Sequence, residues 1–301
     1  MSLKGIYGIA YSCSNADETY CKDWASDAMK SRFGQGGKND IRKLKELGFN
    51  ILRLYYLDPA NNHQLFLKEC EQVGMGIEIP IHNGLIEKRD DTSIRKLVNE
   101  VKNSPAVKYY TVGNEMNSQF NDSIIWAINL VNQIDPNRSI MHSSIFDNNF
   151  ETMKQIIYRL PQGLRSKYIA GINMYFFSNP PQQAGDCIQG AVIKWYNDPD
   201  LKDLRLIISE TGYAANSTDD NQWISFHNTL YGSFMCYDRH PLFLGIELFA
   251  NQDEQWKHNF GHNEHLYGIM DEFGNPKKAY YAIDNFKNQD PYKQMIYKYK
   301  I

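Results

Sequence analysis

Short apolar runs rich in Ile, Val and Tyr alternate along this chain with segments whose apolar residues recur every three or four positions. Ile6-Tyr7-Gly8-Ile9-Ala10-Tyr11 reads as a strand. Asp40 then opens a helix with Ile41, Leu44 and Leu47 three apart, stopped by Gly48. Asn50–Tyr55 is the second strand, followed by a helix over 63–73 that ends at Gly74. Gly76–Ile81 is the third, and the helix over 92–102 places Ile94, Leu97, Val98 and Val101 on one face. The alternation continues with strands at Val107–Val112, Ser139–Ile145, Ile169–Tyr175, Leu206–Ser209 and Leu244–Phe249. Helices fall between them at about 122–134, 150–160, 187–196 and 219–237, and Ala279–Phe286 closes the pattern.

Eight strands alternating with helices over roughly 285 residues predict an α/β fold, a (β/α)8 TIM barrel. The competitor is an open doubly wound sheet, but no Gly-x-Gly-x-x-Gly follows the first strand. No Pro-, Gly- or Ser-rich linker interrupts the pattern, so residues 1–301 read as a single catalytic domain. Two stretches exceed ordinary connections: 13–37 after the first strand, and the polar 251–275 after the eighth. Long loops of this kind belong to a barrel's catalytic rim.

Composition narrows the function classes. The 301 residues are 42% hydrophobic and 22% charged, which excludes a disordered chain. With 32 Lys+Arg against 35 Asp+Glu and no basic run, no nucleic-acid partner is expected. No apolar stretch approaches the roughly 18 residues of a membrane span. Met1-Ser2-Leu3-Lys4 leads straight into an apolar run, and no signal peptide is visible. Five cysteines are scattered at 13, 21, 70, 187 and 236 without Cys-x-x-Cys, so neither a zinc site nor another metal or cofactor is expected. The odd count leaves the compartment open, and the oligomeric state is equally open. The 20 tyrosines suit a sugar-binding surface or an ordinary core.

Chemistry gathers where strands end. Val112 runs into Gly113-Asn114-Glu115, and Ile208-Ser209 into Glu210-Thr211-Gly212-Tyr213. A carboxylate directly after an apolar barrel-facing run is costly unless it is paired or used. Two of them, on strands four and seven, face one rim. Glycoside hydrolysis needs such a pair: one acid for the leaving oxygen and one carboxylate for the anomeric carbon or a water, roughly 5–5.5 Å apart in retaining enzymes. Asn114 is placed to bond a sugar 2-hydroxyl.

These motifs resemble the Asn-Glu and Glu pair of the retaining (β/α)8 glycoside hydrolases of clan A. The resemblance implies Glu115 as acid/base and Glu210 as nucleophile. Gly48-Phe49-Asn50-Ile51-Leu52-Arg53-Leu54-Tyr55-Tyr56-Leu57-Asp58-Pro59, Asn62-His63 and Cys21-Lys22-Asp23 resemble the β-1,3-glucanosyltransferases of glycoside hydrolase family 72. Asp253-Glu254-Gln255-Trp256-Lys257, Leu266–Asp271 and Gly274–Lys277 are similar to the β-1,3-glucanases of family 17. A β-1,3-glucan or related β-glucan substrate is therefore implied, with hydrolysis or transglycosylation as the outcome. By resemblance, Cys21 and Cys70 fall near positions of a bridge, and the protein is secreted or at the cell surface.

The same resemblance implies that Arg53 supports the nucleophile, that Tyr175 orients it, and that Glu254 and Lys257 steady the acid/base carboxyl. The alternatives are a structural ion pair for Arg53, a core ring for Tyr175 and a surface i,i+3 pair for Glu254–Lys257. Tyr55, Tyr213, Phe249 and Trp256 are rim aromatics fit for stacking on sugar rings. His82 ends the third strand as a rim contact or a structural histidine. His258, His262 and His265 cluster without metal-ligand spacing. Asn216-Ser217-Thr218 matches a glycosylation acceptor. Rival readings are another clan activity (mannanase, cellulase, β-galactosidase) and a carbohydrate-binding barrel without chemistry.

Overall fold

The structure, a computed structural model, describes residues 5–12, 22–175, 180–214, 220–234, 240–261 and 263–286. Eight strands, β1 (Ile6–Ala10), β2 (Ile51–Arg53), β3 (Gly76–Ile81), β4 (Val107–Asn114), β5 (Ser139–Ile145), β6 (Tyr168–Asn173), β7 (Arg205–Thr211) and β8 (Phe243–Leu248), pair in parallel and in chain order. β8 closes on β1 with Ile6 opposite Gly245 and Gly8 opposite Glu247. Closure removes the open-sheet alternative and makes this a (β/α)8 barrel.

The principal helices are α2 (Asp40–Glu46), α3 (Gln64–Val73), α5 (Asp91–Val101), α6 (Asn121–Ile134), α7 (Glu151–Ile157), α9 (Ala184–Asn197) and α10 (Asp220–Phe234), with Lys278–Phe286 closing the described chain. Two local signals explain their ends. Gly74 takes the left-handed conformation, φ 71°, that terminates α3. Asp90 caps α5 by accepting from the Ser93 N–H at 3.0 Å. The pattern missed the short helices α1 (Lys30–Phe33) and α4 (Asn83–Glu87), which are too brief to show a period. The helix expected over about 150–160 is shorter, with α7 stopping at Ile157, and a separate short helix, α8 (Gln162–Arg165), follows. β2 is only three residues long, whereas β4 and β7 extend to Asn114 and Thr211, past the points where their apolar runs end.

The alternation of side chains sorts each strand into two faces. Outward, Ile9, Leu52, Ile79, Tyr110, Ile140, Ala170 and Ile208 join the helices in the main core. Inward, Ile6, Ile51, Tyr109, Met141, Ile169, Ile207 and Leu244 form an apolar plug at the amino-terminal end of the barrel. Two residues further along six of these strands stand Gly8, Arg53, Thr111, Ser143, Gly171 and Ser209. Glu78 and Glu247 join this layer from β3 and β8, each 0% exposed. The plug gives way to a polar layer directly beneath the carboxyl-terminal rim.

That rim is braced from outside. His63, 1% exposed, sits between Asp23 (Nε2–Oδ2 2.8 Å) and Glu100 (Nδ1–Oε2 3.0 Å). This ties the loop after β1 to the starts of α3 and the end of α5. Asn251 exchanges two 2.7 Å bonds with the Ser12 backbone, joining the loops after β8 and β1. Cys70 is buried and in no disulfide. Cys13, Cys21 and Cys236 lie outside the described residues, as do His262 and Asn216-Ser217-Thr218.

Candidate active site

A cavity of about 1260 Å³ opens over the carboxyl ends of the strands, and Glu115 and Glu210 both line it. Strict alternation along β7 would send Glu210 outward, since Ser209 already points in. Register shifts between Ile172 and Asn173, and between Ile208 and Thr211, break that alternation on both sides of β7. β4 is shifted likewise between Thr111 and Asn114. Glu115 itself takes a left-handed conformation, φ 53°, after Gly113 at φ 75°. A non-glycine residue there is strained by about 1–3 kcal/mol, a feature that concentrates at functional sites. Its N–H is held by the Ser143 carbonyl at 2.9 Å.

Arg53 organises the floor. Its guanidinium, 1% exposed, places Nη2 2.9 Å from Glu210 Oε1 and 2.8 Å from Asn114 Oδ1. It also donates to the Ser209 carbonyl. Asn173 Nδ2 donates to the same Asn114 oxygen at 3.0 Å and to Glu115 Oε1 at 2.7 Å. Arg53, Asn114 and Asn173 thus connect the two carboxylates through unbroken polar contacts. Asn173 is fixed in turn by the Ser209 hydroxyl, 2.7 Å from Oδ1. Asn114 is fixed by two backbone bonds with Asn83 at 2.8 and 2.9 Å.

The two glutamates have opposite surroundings. Glu210 is 6% exposed and receives the Arg53 guanidinium and the Tyr175 hydroxyl, the latter 2.8 Å from Oε2. Both contacts hold the Glu210 carboxyl group in one orientation. Glu115 opens onto the cavity between shielding walls. Withdrawal from water and then the Glu210 charge push its carboxyl above the usual range; Asn173 and Arg53 pull the other way. Two carboxyl groups in unlike surroundings, facing one cavity, can divide the roles of proton donor and attacking group.

The remaining predicted residues divide. Tyr55 lines the cavity, but its ring carries Arg53, whose guanidinium carbon is 5.0 Å from the ring centre. Burial, and the neighbouring Glu210 among the charges, push its phenol well above the ordinary range. Phe249 packs edge-on to both Tyr55 and Tyr175, at 6.0 and 6.3 Å. Glu254 and Lys257 pair with each other at 2.7 Å, and Lys257 lies over the Phe249 ring at 4.0 Å. Trp256 lines the cavity nearby. Tyr213 is not brought in: it is not among the cavity-lining residues, and its hydroxyl bonds Gln222 on α10 at 3.0 Å. His82 lines the cavity beside Tyr56, with ring centres 4.7 Å apart. His258 and His265 meet edge-on at 4.7 Å, and no group fit for a metal ion occurs among the described residues.

Sequence reasoning missed Asn173, Glu78, Glu247 and Glu264. Asn173 ends an apolar strand just as Asn114 does, and Glu78 and Glu247 interrupt apolar strands at their centres, so the signal was present. Glu264 lines the cavity near Glu115 and adds to the field that raises it.

No protein-family model matches the chain, and no curated protein matches it. Solved structures share its barrel. A GH2 β-galacturonidase from Eisenbergiella tayi superimposes with TM-score 0.64 at 16% identity, over 91% of this chain and 51% of its own. β-Glucuronidase 3 of Bacteroides uniformis gives 0.65 at 11%, over 93% and 37%. A β-D-glucuronidase of Dictyoglomus thermophilum gives 0.64 at 16%, over 95% and 51%. The chain spans about half the length of these proteins or less. At such identities the likeness establishes the fold, and the finer resemblance to families 17 and 72 rests on the motifs alone.

Proposed function

We propose that this chain is a retaining β-glycosidase in which Glu210 attacks the anomeric carbon and Glu115 protonates the departing oxygen. One observation carries the reading: two carboxyl groups in one cavity, one engaged by Arg53 and Tyr175, the other raised above the usual range, joined through Asn114 and Asn173. The glycosyl-enzyme ester that forms removes the Glu210 charge. Part of what raises Glu115 then disappears, and the same group serves as base toward the acceptor. Water as acceptor gives hydrolysis, and a sugar hydroxyl gives transglycosylation.

β-1,3-Glucan or a related β-glucan is the substrate class the motifs favour, and residues 1–301 form one catalytic domain in this reading. A second reading, a β-uronidase, is favoured by the names of the structural neighbours. Incubation with laminari-oligosaccharides, with product lengths and anomers read by mass spectrometry and NMR, tests the first. Shorter products mean hydrolysis, longer ones transfer, and both retain the β-configuration. A parallel panel of aryl β-glucosides, β-glucuronides and β-galacturonides tests the second. Inverted products, or no turnover of any β-glycoside, defeat the assignment.

A further inference from the structure

We propose that Glu78 and Glu247 hold a single proton between them, and that this singly charged pair is a positioning device that reserves Arg53 for Glu210. The inference rests on the reading of Glu210 as nucleophile for its consequence, but not for its physical basis.

The basis is charge and hydrogen-bond supply in a closed space. Glu78 and Glu247 enter the polar layer from β3 and β8, and both are 0% exposed. Arg53 stands among three carboxyl groups: Nη2 lies 2.9 Å from Glu210, Nε 3.5 Å from Glu78 and Nη1 3.6 Å from Glu247. The titratable groups facing the pair are Arg53 and Tyr55 from the β2 side, Tyr109 on β4 and Glu210 on β7. Only Arg53 is cationic. Three anions around one buried guanidinium would leave two charges uncompensated away from water, at a large desolvation cost.

The donors tell the same story. Tyr109 donates to Glu247 Oε1 at 2.6 Å, and Thr111 donates to Glu78 Oε1. The second oxygens, Glu78 Oε2 and Glu247 Oε2, are buried with no conventional hydrogen-bond partner, and the two carboxyl groups interact with each other. One proton supplies the missing donor and removes one charge. Burial pushes both carboxyls up, and at Glu247 the charge of Glu78 acts in the same direction. The chain makes room for this arrangement: a Cβ on Gly8 would lie 2.7 Å from Glu247 Cγ. Held to one net charge, the pair leaves the short contact of Arg53 to Glu210 and keeps its own at 3.5 and 3.6 Å.

Two measurements on the full chain test this. Infrared difference spectra in a Glu115→Gln background, recorded at pH 8, compare the protein with and without Glu247→Gln. A carbonyl band of a buried carboxylic acid is expected in the first and lost in the second. Its absence from the first overturns the proposal, even where the second variant fails to fold. The second measurement is the pH profile of kcat/KM in otherwise unsubstituted enzyme. Glu78→Gln and Glu247→Gln each leave one negative charge beneath Arg53, so the acid limb stays in place. The double amide removes that charge and moves the limb about one unit to lower pH. Limb shifts in each single variant that add in the double would show two independent anions and overturn the pair. The infrared band is independent of turnover. A failure of the glycosidase reading, detected by azide rescue of Glu210→Ala, is thereby distinguishable from a failure of this one.

Discussion

The Tyr175 hydroxyl donates to Oε2 of Glu210 at 2.8 Å, while Arg53 engages the other oxygen at 2.9 Å. Both oxygens of Glu210 are thereby engaged, one by a hydrogen bond and one by an ion pair, and the carboxyl group cannot rotate freely. Tyr175→Phe removes one charge-assisted bond, worth about 1.5–3 kcal/mol. The expected outcome is a 10- to 100-fold fall in kcat/KM, roughly the same energy, with the thermal midpoint nearly unchanged. Steady-state kinetics beside a melting curve checks it.

Arg53→Met leaves Glu210, Glu78 and Glu247 without their shared cation. Breaking a buried ion pair from one side costs about 3–5 kcal/mol. The expected outcome is a strongly lowered denaturant midpoint as well as lost turnover. Arg53→Lys keeps the charge but not the fork that reaches Asn114 and Glu210 together. It is expected to recover stability more than activity.

Glu115 is raised by its surroundings, so in the proposed acid role it is expected to set the alkaline limb of kcat/KM above the ordinary carboxylate range. Asn173 favours the anion by donating to Oε1, so Asn173→Ala is expected to move that limb to higher pH while lowering kcat. Glu115→Gln is expected to cost about 10²–10⁴-fold on substrates with poor leaving groups and much less on activated aryl glycosides. Equal losses on both substrates would remove Glu115 from the acid role.

His63 is raised to about 9 from 6.5 by Asp23 and Glu100, against the opposing effect of its burial. Its folded value exceeds the unfolded one. The stability it contributes is complete below pH 6.5 and is lost as pH rises through about 9. The difference amounts to about 3 kcal/mol. Urea midpoints measured from pH 6 to 10 are expected to fall across that window, and the fall attributable to this clamp is expected to vanish in His63→Gln.

Gly8 on β1 sits beside Glu247 on the neighbouring strand β8. A methyl there meets Glu247 Cγ at 2.7 Å, inside any ordinary contact. Gly8→Ala is expected to destabilise the fold by about 1–3 kcal/mol. A displaced Glu247 is further expected to disturb the pH profile, which calorimetry and kinetics together would show.

Much of the barrel was legible in the chain. Gly48 and Gly74 stop helices where the period ends, and each of the eight expected strands overlaps an observed one. Glu115 and Glu210 stood out because each follows an apolar run without a local partner. Tyr175 was read as orienting Glu210 and Tyr213 as a rim aromatic; the Tyr175 hydroxyl reaches Glu210, whereas that of Tyr213 turns to Gln222. Sequence position places a side chain at a strand end; it does not say toward which neighbour the ring turns.

The order of elements, the strand-helix alternation and the two carboxylates at strand ends were determined by the chain's own periodicity and by where its charges interrupt it. The register shifts around β7, the left-handed turn at Glu115 and the meeting of Arg53 with Glu78, Glu210 and Glu247 were decided only by closure of the barrel. Local pattern records which face a residue prefers. Only the closed barrel brings strands distant in sequence into one interior, where charges held apart along the chain must share a cation.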